Sequence, residues 1–442
     1  GGAITESGDL SIGGITTLAA GSGNNITLDR TGNNFQAAVQ ITSGDNVTLV
    51  DAGAIDLGDS TVSGTYAVTA TSGGDITDSG VLAITEASTF TVAGGQSITL
   101  DQSSTFSSTV SFAASSGTIA GVTINDSDAF DLAALTLTGN LTVTAGGAIT
   151  DSGTVTVGGN LAATTDAGNS LINLDTLAVD GTIALNTNGS GAATVVNDAG
   201  LDFAASTVGG ALSATATSQG ITDSGVLVIT GTSTLTVADG QSITLDQSST
   251  FGTVAFVASS GTIASVEIKD SNAFDLAALT VTGDLTVTAA GVVTDSGTQE
   301  IGGVTTISAY TDRYSNPYYY NITLDTPTNN FAAAVVITSG RNVAITDEDA
   351  IALGASTVSG TYGITAAGAV TDTGALAITG VTTIAAGSGN NITLDHTSNN
   401  FQAAVRITSG NNVTLVDAGA IDLGASTVSG TYAVTARAGG DI

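Results

Sequence analysis

The stretch YAVTATSGGDITD, residues 66–78, holds a five-residue strand, a Thr-Ser-Gly-Gly turn and a second short strand closed by an aspartate. Apolar and small polar residues alternate in these strands, so each strand buries one face only. Strands of this length do not stand alone as a meander. Winding the chain into coils resolves both difficulties, because apolar residues then point inward and every strand pairs in parallel with the coils before and after it. The fold class expected from this reading is all-β, a right-handed parallel β-helix or β-solenoid.

Working outward, the phrase Ile-Thr-Asp-Ser-Gly or a near variant starts at Ile4, Ile76, Ile149, Ile221, Val293 and Val370. These starts divide the chain into six units of about 72 residues, 4–75, 76–148, 149–220, 221–292, 293–369 and 370–441, read as one continuous solenoid over 1–442. Units one and six are nearly the same sequence, with Thr16 to Ala70 recurring from Thr382 to Ala436. Units two and four share ITLDQSSTF at 98 and 243. A finer period is marked by an acidic residue that closes a short strand, as at Glu6, Asp29, Asp51, Asp78, Asp101 and Asp126. Three marks per unit predict three coils per unit and about eighteen in all. At a strand spacing of about 4.8 Å this would be a rod on the order of 85 Å long.

Composition narrows the function classes. The 442 residues include 58 Gly, 2 Pro and no Cys, Met or Trp. Charged residues make up 10 %, against roughly 25 % in an average soluble domain. With 42 % apolar residues the chain has enough to bury, and disorder is not expected. Absence of cysteine removes disulfides and thiolate metal sites. The net charge of −33 repels phosphate backbones and anionic membrane surfaces, so nucleic acid is not an expected partner. No apolar run of membrane-spanning length occurs, so membrane insertion is not expected. The opening GGAITESG lacks the pattern of a signal peptide, which points to a segment of something longer.

Three phrases carry a resemblance: GGAITDSG at 146–153, NNITLDHTSNNF at 390–401 and NNVTLVDAGAIDLGASTVSGTY at 411–432. They resemble the repeat arrays of very large bacterial surface proteins of the filamentous haemagglutinin type, and the resemblance covers essentially the whole chain. It implies a right-handed parallel β-helix, export across an outer membrane and service as an adhesive stalk. The secretion domain of that family is not matched here.

The basic residues Arg30, Lys269, Arg313, Arg341, Arg406 and Arg437 are scattered, and acid–base cleavage of a polysaccharide needs carboxylates gathered beside such a group. His396 takes the slot of Arg30 in unit one and reads as a turn residue. Enzymatic activity is therefore not expected. The acidic marks read first as turn residues that accept backbone N–H groups. A second reading is weak Ca²⁺ binding, best supported at Asp126, Asp128 and Asp131 and at Asp347, Glu348 and Asp349, since hard oxygen ligands suit that ion. No other cofactor is implied.

One segment breaks the repeat. SAYTDRYSNPYYYNITLD, 308–325, replaces AAGSGNNITLD and brings Tyr310, Tyr314, Tyr318, Tyr319 and Tyr320 together with Arg313. Insertions in solenoids project from one face, and tyrosine clusters make contact surfaces for protein or sugar. The plainer alternative is a loop that folds its rings onto the coil.

The function expected is a structural stalk or fibre segment of an extracellular bacterial adhesin or surface filament, serving attachment or matrix formation. Its expected partners are other copies, head to tail or side by side, and a surface glycan or protein receptor. The runners-up are an ice-binding solenoid and a polysaccharide-binding or polysaccharide-degrading β-helix.

Overall fold

The computed structural model describes residues 1–313 and 316–437. No described residue is helical, and the elements are short strands throughout. The chain forms two compact units, Gly1–Thr217 and Ser218–Ile442.

In the first unit, inward-facing residues stack in columns of parallel pairs. One column runs Ile4, Ile26, Val47, Tyr66, Ser88, Val110. A second runs Ile55, Ile76, Ile98, Val122, Leu141, Leu161, Ile183. A third runs Phe130, Ile149, Ile172, Ala193, Leu212. The strands Tyr66–Ala70 and Leu141–Ala145 alternate between fully buried and half-buried positions, as a one-sided strand requires. β-Branched and small residues fit this narrow interior. Larger rings gather locally: Phe90 meets Tyr66 and Phe106 edge-on at 6.1 Å and stacks on Phe112 at 6.2 Å. Turns of adjacent coils also lie close. A Cβ on Gly74 would collide with the backbone of Gly53 and Ala54, and one on Gly146 with the Ser127 carbonyl. The second unit is built in the same way, with a column Phe274, Val293, Ile322, Val343, Tyr362, Thr382, Val405.

The number of coils differs from the expectation of three per repeat. Repeat two contains Ile76–Asp78, Leu82–Ile84, Ser88–Val92, Ser97–Phe106, Val110–Ala114, Gly121–Asp126, Phe130–Leu132, Leu135–Leu137 and Leu141–Ala145. Ser97–Phe106 bends at a corner, pairing through Ile98 with Ile76 and through Thr105 with Ala83. Counted twice, it brings the repeat to ten straight segments. Segments pair with the third one after them, as Ile76 with Ile98, Ser88 with Val110 and Val122 with Leu141, although the ladder is interrupted after Val110–Ala114. Ten segments at three per turn make three and one third turns per repeat, so the six repeats supply about 20 turns instead of eighteen.

The odd third has a structural consequence. Ile4, Ile76 and Ile149 open repeats one, two and three, yet they lie in the three different columns given above. Each repeat therefore begins one face further round. The acidic marks show why the count misled. Within a repeat they are one turn apart: the Asp101 amide donates to Asp78 in the preceding turn. From the last mark of one repeat to the first of the next, as from Asp51 to Asp78, the chain passes four segments instead of three.

Candidate functional site

In Ile-Thr-Asp the isoleucine faces inward and the threonine outward, so alternation drives the aspartate inward at a corner. There the backbone of the next turn bends and its N–H groups come free. Asp78 accepts from the Asp101 and Gln102 amides at 2.9 and 3.4 Å. Asp151 accepts from those of Asp175 and Thr176 at 3.0 and 2.8 Å. The same pair of bonds recurs at Asp223, Asp295 and Asp372. In repeat one Glu6 takes the Arg30 amide at 2.7 Å.

Two turns later a second acid is more deeply buried. Asp51, Asp126, Asp270, Asp347 and Asp417 are at most 2 % exposed, as is Asn197, which takes this position in repeat three. Each carboxylate binds the N–H two residues ahead and reaches back to a phenylalanine N–H of the preceding turn. Asp417, for example, accepts from Gly419 at 2.6 Å and Phe401 at 2.7 Å. Acceptance of backbone N–H bonds is thus the role these acids play, but across turns as well as within them.

Between the two acids sits a polar residue that sequence reading passed over. It is Asn33, Ser104, Thr176, Ser249, Asn329 or Asn399 in repeats one to six. Asn399 accepts from the Leu376 amide at 2.9 Å and donates to Asp372 at 2.6 Å. Asn329 does the same between Gln299 and Asp295. Ser104 and Ser249 accept from Leu82 and Leu227. Five repeats thus carry a column of acid, linker and acid over three turns, and in repeat three the linker Thr176 is exposed and Asn197 replaces the second acid. The signal was present: in five repeats the linker stands two residues before a phenylalanine, as in Asn399-Asn400-Phe401 and Ser249-Thr250-Phe251.

Burial acts on several of these acids. Desolvation pushes Asp78, Asp223 and Asp270 up to about 6, against the pull of their backbone hydrogen bonds. It raises Asp126 and Asp347 as well. An acid that is buried without a cation holds its proton more tightly.

The proposed calcium ligands do not converge. Asp126 is turned inward and accepts from the Asp128 and Phe106 amides. Asp131 points outward and accepts from the hydroxyls of Thr150 and Ser152 at 2.8 and 2.5 Å. Asp347 is likewise committed to Phe331 and Asp349, and Glu348 and Asp349 are exposed beside it. Each strand ends at its buried aspartate, and the turn that follows carries Asp128, or Glu348 and Asp349, out to solvent. Among the described residues no three such side chains form a metal-holding group. His396 is a turn residue whose Nδ1 accepts from the Ser398 amide.

The tyrosine segment is a hairpin. Thr305–Arg313 begins in the parallel ladder, with Thr305 between Leu285 and Val335. It then leaves the ladder and pairs antiparallel with Asn316–Tyr319, placing Tyr310 opposite Tyr319 and Thr311 opposite Tyr318. The Tyr320 amide closes the hairpin on the Ala309 carbonyl at 2.8 Å. Tyr318 and Tyr320 meet edge-on at 5.0 Å. Tyr310 and Tyr318 are 41 % and 46 % exposed, whereas Tyr319 and Tyr320 are half-buried. Tyr314 and the side chain of Arg313 lie outside the described residues.

A family model described as repeats of unknown function (DUF5649) matches residues 1–42, 44–113, 120–188, 190–258, 263–338, 340–408 and 410–442. The chain belongs to this repeat family. No curated protein and no solved structure matches it. Each family repeat after the first opens six or seven residues before the deeply buried position, Asp51, Asp126, Asn197, Asp270, Asp347 or Asp417. The period of the family repeat is therefore also the period of the interior columns.

Proposed function

We propose that the chain is a structural stalk or fibre segment of an extracellular bacterial adhesin or surface filament, serving attachment or matrix formation. The observation that carries this reading is the division of labour in the repeat. The parallel ladder recurs in every repeat and the acid–linker–acid column in five of the six, while the irregular chemistry is concentrated in one projecting hairpin. Continuous cross-turn hydrogen bonding suits a part that bears load. Sparse basic residues and an acidic surface keep such parts apart in solution. Within this reading the hairpin of Tyr310, Tyr318, Tyr319 and Tyr320 is the contact point, because it supplies aromatic area that occurs once in the chain. Its partner would be a surface glycan or a protein, including another copy of the chain.

The ice-binding alternative needs an unbroken outward array. The outward column Thr77, Thr99, Thr123, Thr142 gives way to Ala162 and Ala184, which favours the stalk.

Antibody labelling of intact producing cells tests the reading directly: label on the cell exterior or on shed fibres is expected, and label confined to the interior would overturn it. The contact role is tested by changing Tyr318, Tyr319 and Tyr320 to Ser. Attachment to glycan- or protein-coated surfaces should fall while the thermal midpoint stays nearly unchanged. If instead the rings cover the coil, stability drops, at roughly 1.5 to 3 kcal/mol for a fully buried ring, and attachment persists.

A further inference from the structure

The interior column of repeat four is short of hydrogen-bond donors. Ser249 accepts from the Leu227 amide at 2.9 Å, and its own hydroxyl points at Asp223 Oδ2 over 3.5 Å. Ser249 is also the register partner of Asp270 in the following turn. The one hydroxyl proton is directed at Asp223, and Asp270 Oδ2 is left buried without a partner. Asp270 Oδ1 accepts from the Asn272 amide at 2.8 Å, and the carboxyl also receives the Phe251 amide. Repeat three shows what fills the place comfortably. There Asn197, neutral and with a donor of its own, accepts from the Val179 amide and gives Nδ2 to the carbonyls of Val179 and Gly200 at 3.0 and 2.6 Å.

We propose that the Asp223–Ser249–Asp270 column is a pH-set lock, in which a proton taken up by the column supplies the missing donor and tightens repeat four as the medium turns mildly acidic. A protonated Asp270 offers an O–H where Asn197 offers its N–H, and carbonyls of the flanking turns are the natural acceptors.

The surrounding charge favours the same direction. Asp246 in the next turn faces Asp223 and opposes its ionisation. Asp270 lies between Ser249 on one side and Ala289 on the other, while Glu267, Lys269 and Asp275 turn outward to solvent. Burial lifts both column acids from 3.8 to about 6. The folded state therefore binds protons before the unfolded state does, so stability is lost as pH rises from about 4 through about 6 and regained on acidification.

Hydrogen exchange on the full chain at pH 7.5 and 5.0, corrected for the intrinsic rate, tests this. Amide protection across residues 221–281 should rise about tenfold or more at pH 5.0, one factor of ten for each pH unit below the lifted value. Residues 370–428 of repeat six, where Asn399 supplies the donor, should change little. D270N should be protected at both pH values and keep only the smaller rise that Asp223 contributes. Flat or falling protection in wild-type repeat four would overturn the proposal. So would an equal rise in repeat six, which would signal general charge neutralisation. Failure of D270N to fold would also overturn it, because an asparagine is what repeat three already carries.

Discussion

In repeat six the carboxylate of Asp372 receives the amides of Asp395 and His396 at 3.0 and 3.2 Å and Asn399 Nδ2 at 2.6 Å. In repeat four its counterpart Asp223 receives the amides of Asp246 and Gln247 at 2.9 and 3.4 Å, and a serine hydroxyl at 3.5 Å. Two turns on, Asp417 is bonded through both oxygens and Asp270 through one. The coils are alike, so the contrast isolates the linker. An asparagine brings one acceptor and two donors, whereas a serine brings a single donor. In the first column every carboxylate oxygen of Asp372 and Asp417 has a donor. The second is better satisfied with a proton added.

The strongest way to break this comparison is to remove the linkers. Asn399→Ala strips the Leu376 amide of its acceptor and Asp372 of its shortest donor, both in the interior. It should cost about 3 to 5 kcal/mol of local stability, the sum of an unpaired buried N–H and a lost charged hydrogen bond. Ser249→Ala strips the Leu227 amide alone of a close partner and should cost about 1 to 2 kcal/mol. Hydrogen exchange on residues 370–428 and 221–281 reads each locally, which matters because a repeat array need not unfold in one step. Equal costs would mean that the linker is not what separates the two repeats.

A smaller effect sharpens the comparison by acting where the repeats agree. The interior hydroxyls of Ser233 in repeat four and Thr382 in repeat six are both buried without a partner. Ser233→Ala and Thr382→Val remove an orphaned polar group from each and should stabilise their repeats by about 1 kcal/mol. The same measurement checks them. A gain in one repeat and a loss in the other would show that the interiors differ beyond the linker.

Much of this architecture was legible in the sequence. Two-residue alternation in YAVTA and LTVTA set which side chains face inward, and the Ile-Thr-Asp phrase set where strands stop. The acceptor role of the acids followed from the chemistry of aspartate at corners. The repeat-breaking tyrosines stood out by composition, but their hairpin pairing did not, since it rests on two strands outside the repeat pattern. Carboxylates adjacent in sequence, such as Asp347, Glu348 and Asp349, looked like a ligand set until the strand ended on a buried Asp347 and the turn after it left its neighbours outside.

The sequence by itself determined the strands and their inward faces, because those depend on neighbours two to five residues apart, and the length of the repeat, because the same phrase recurs along the chain. Tertiary structure alone decided that ten segments wind on three faces, so that successive repeats begin on successive faces. That result depends on which strands pair across about 20 residues, and no local pattern records it. Partnership across turns likewise decided which acids share a linker, and therefore which carboxylates are fully bonded and which are left short of a proton.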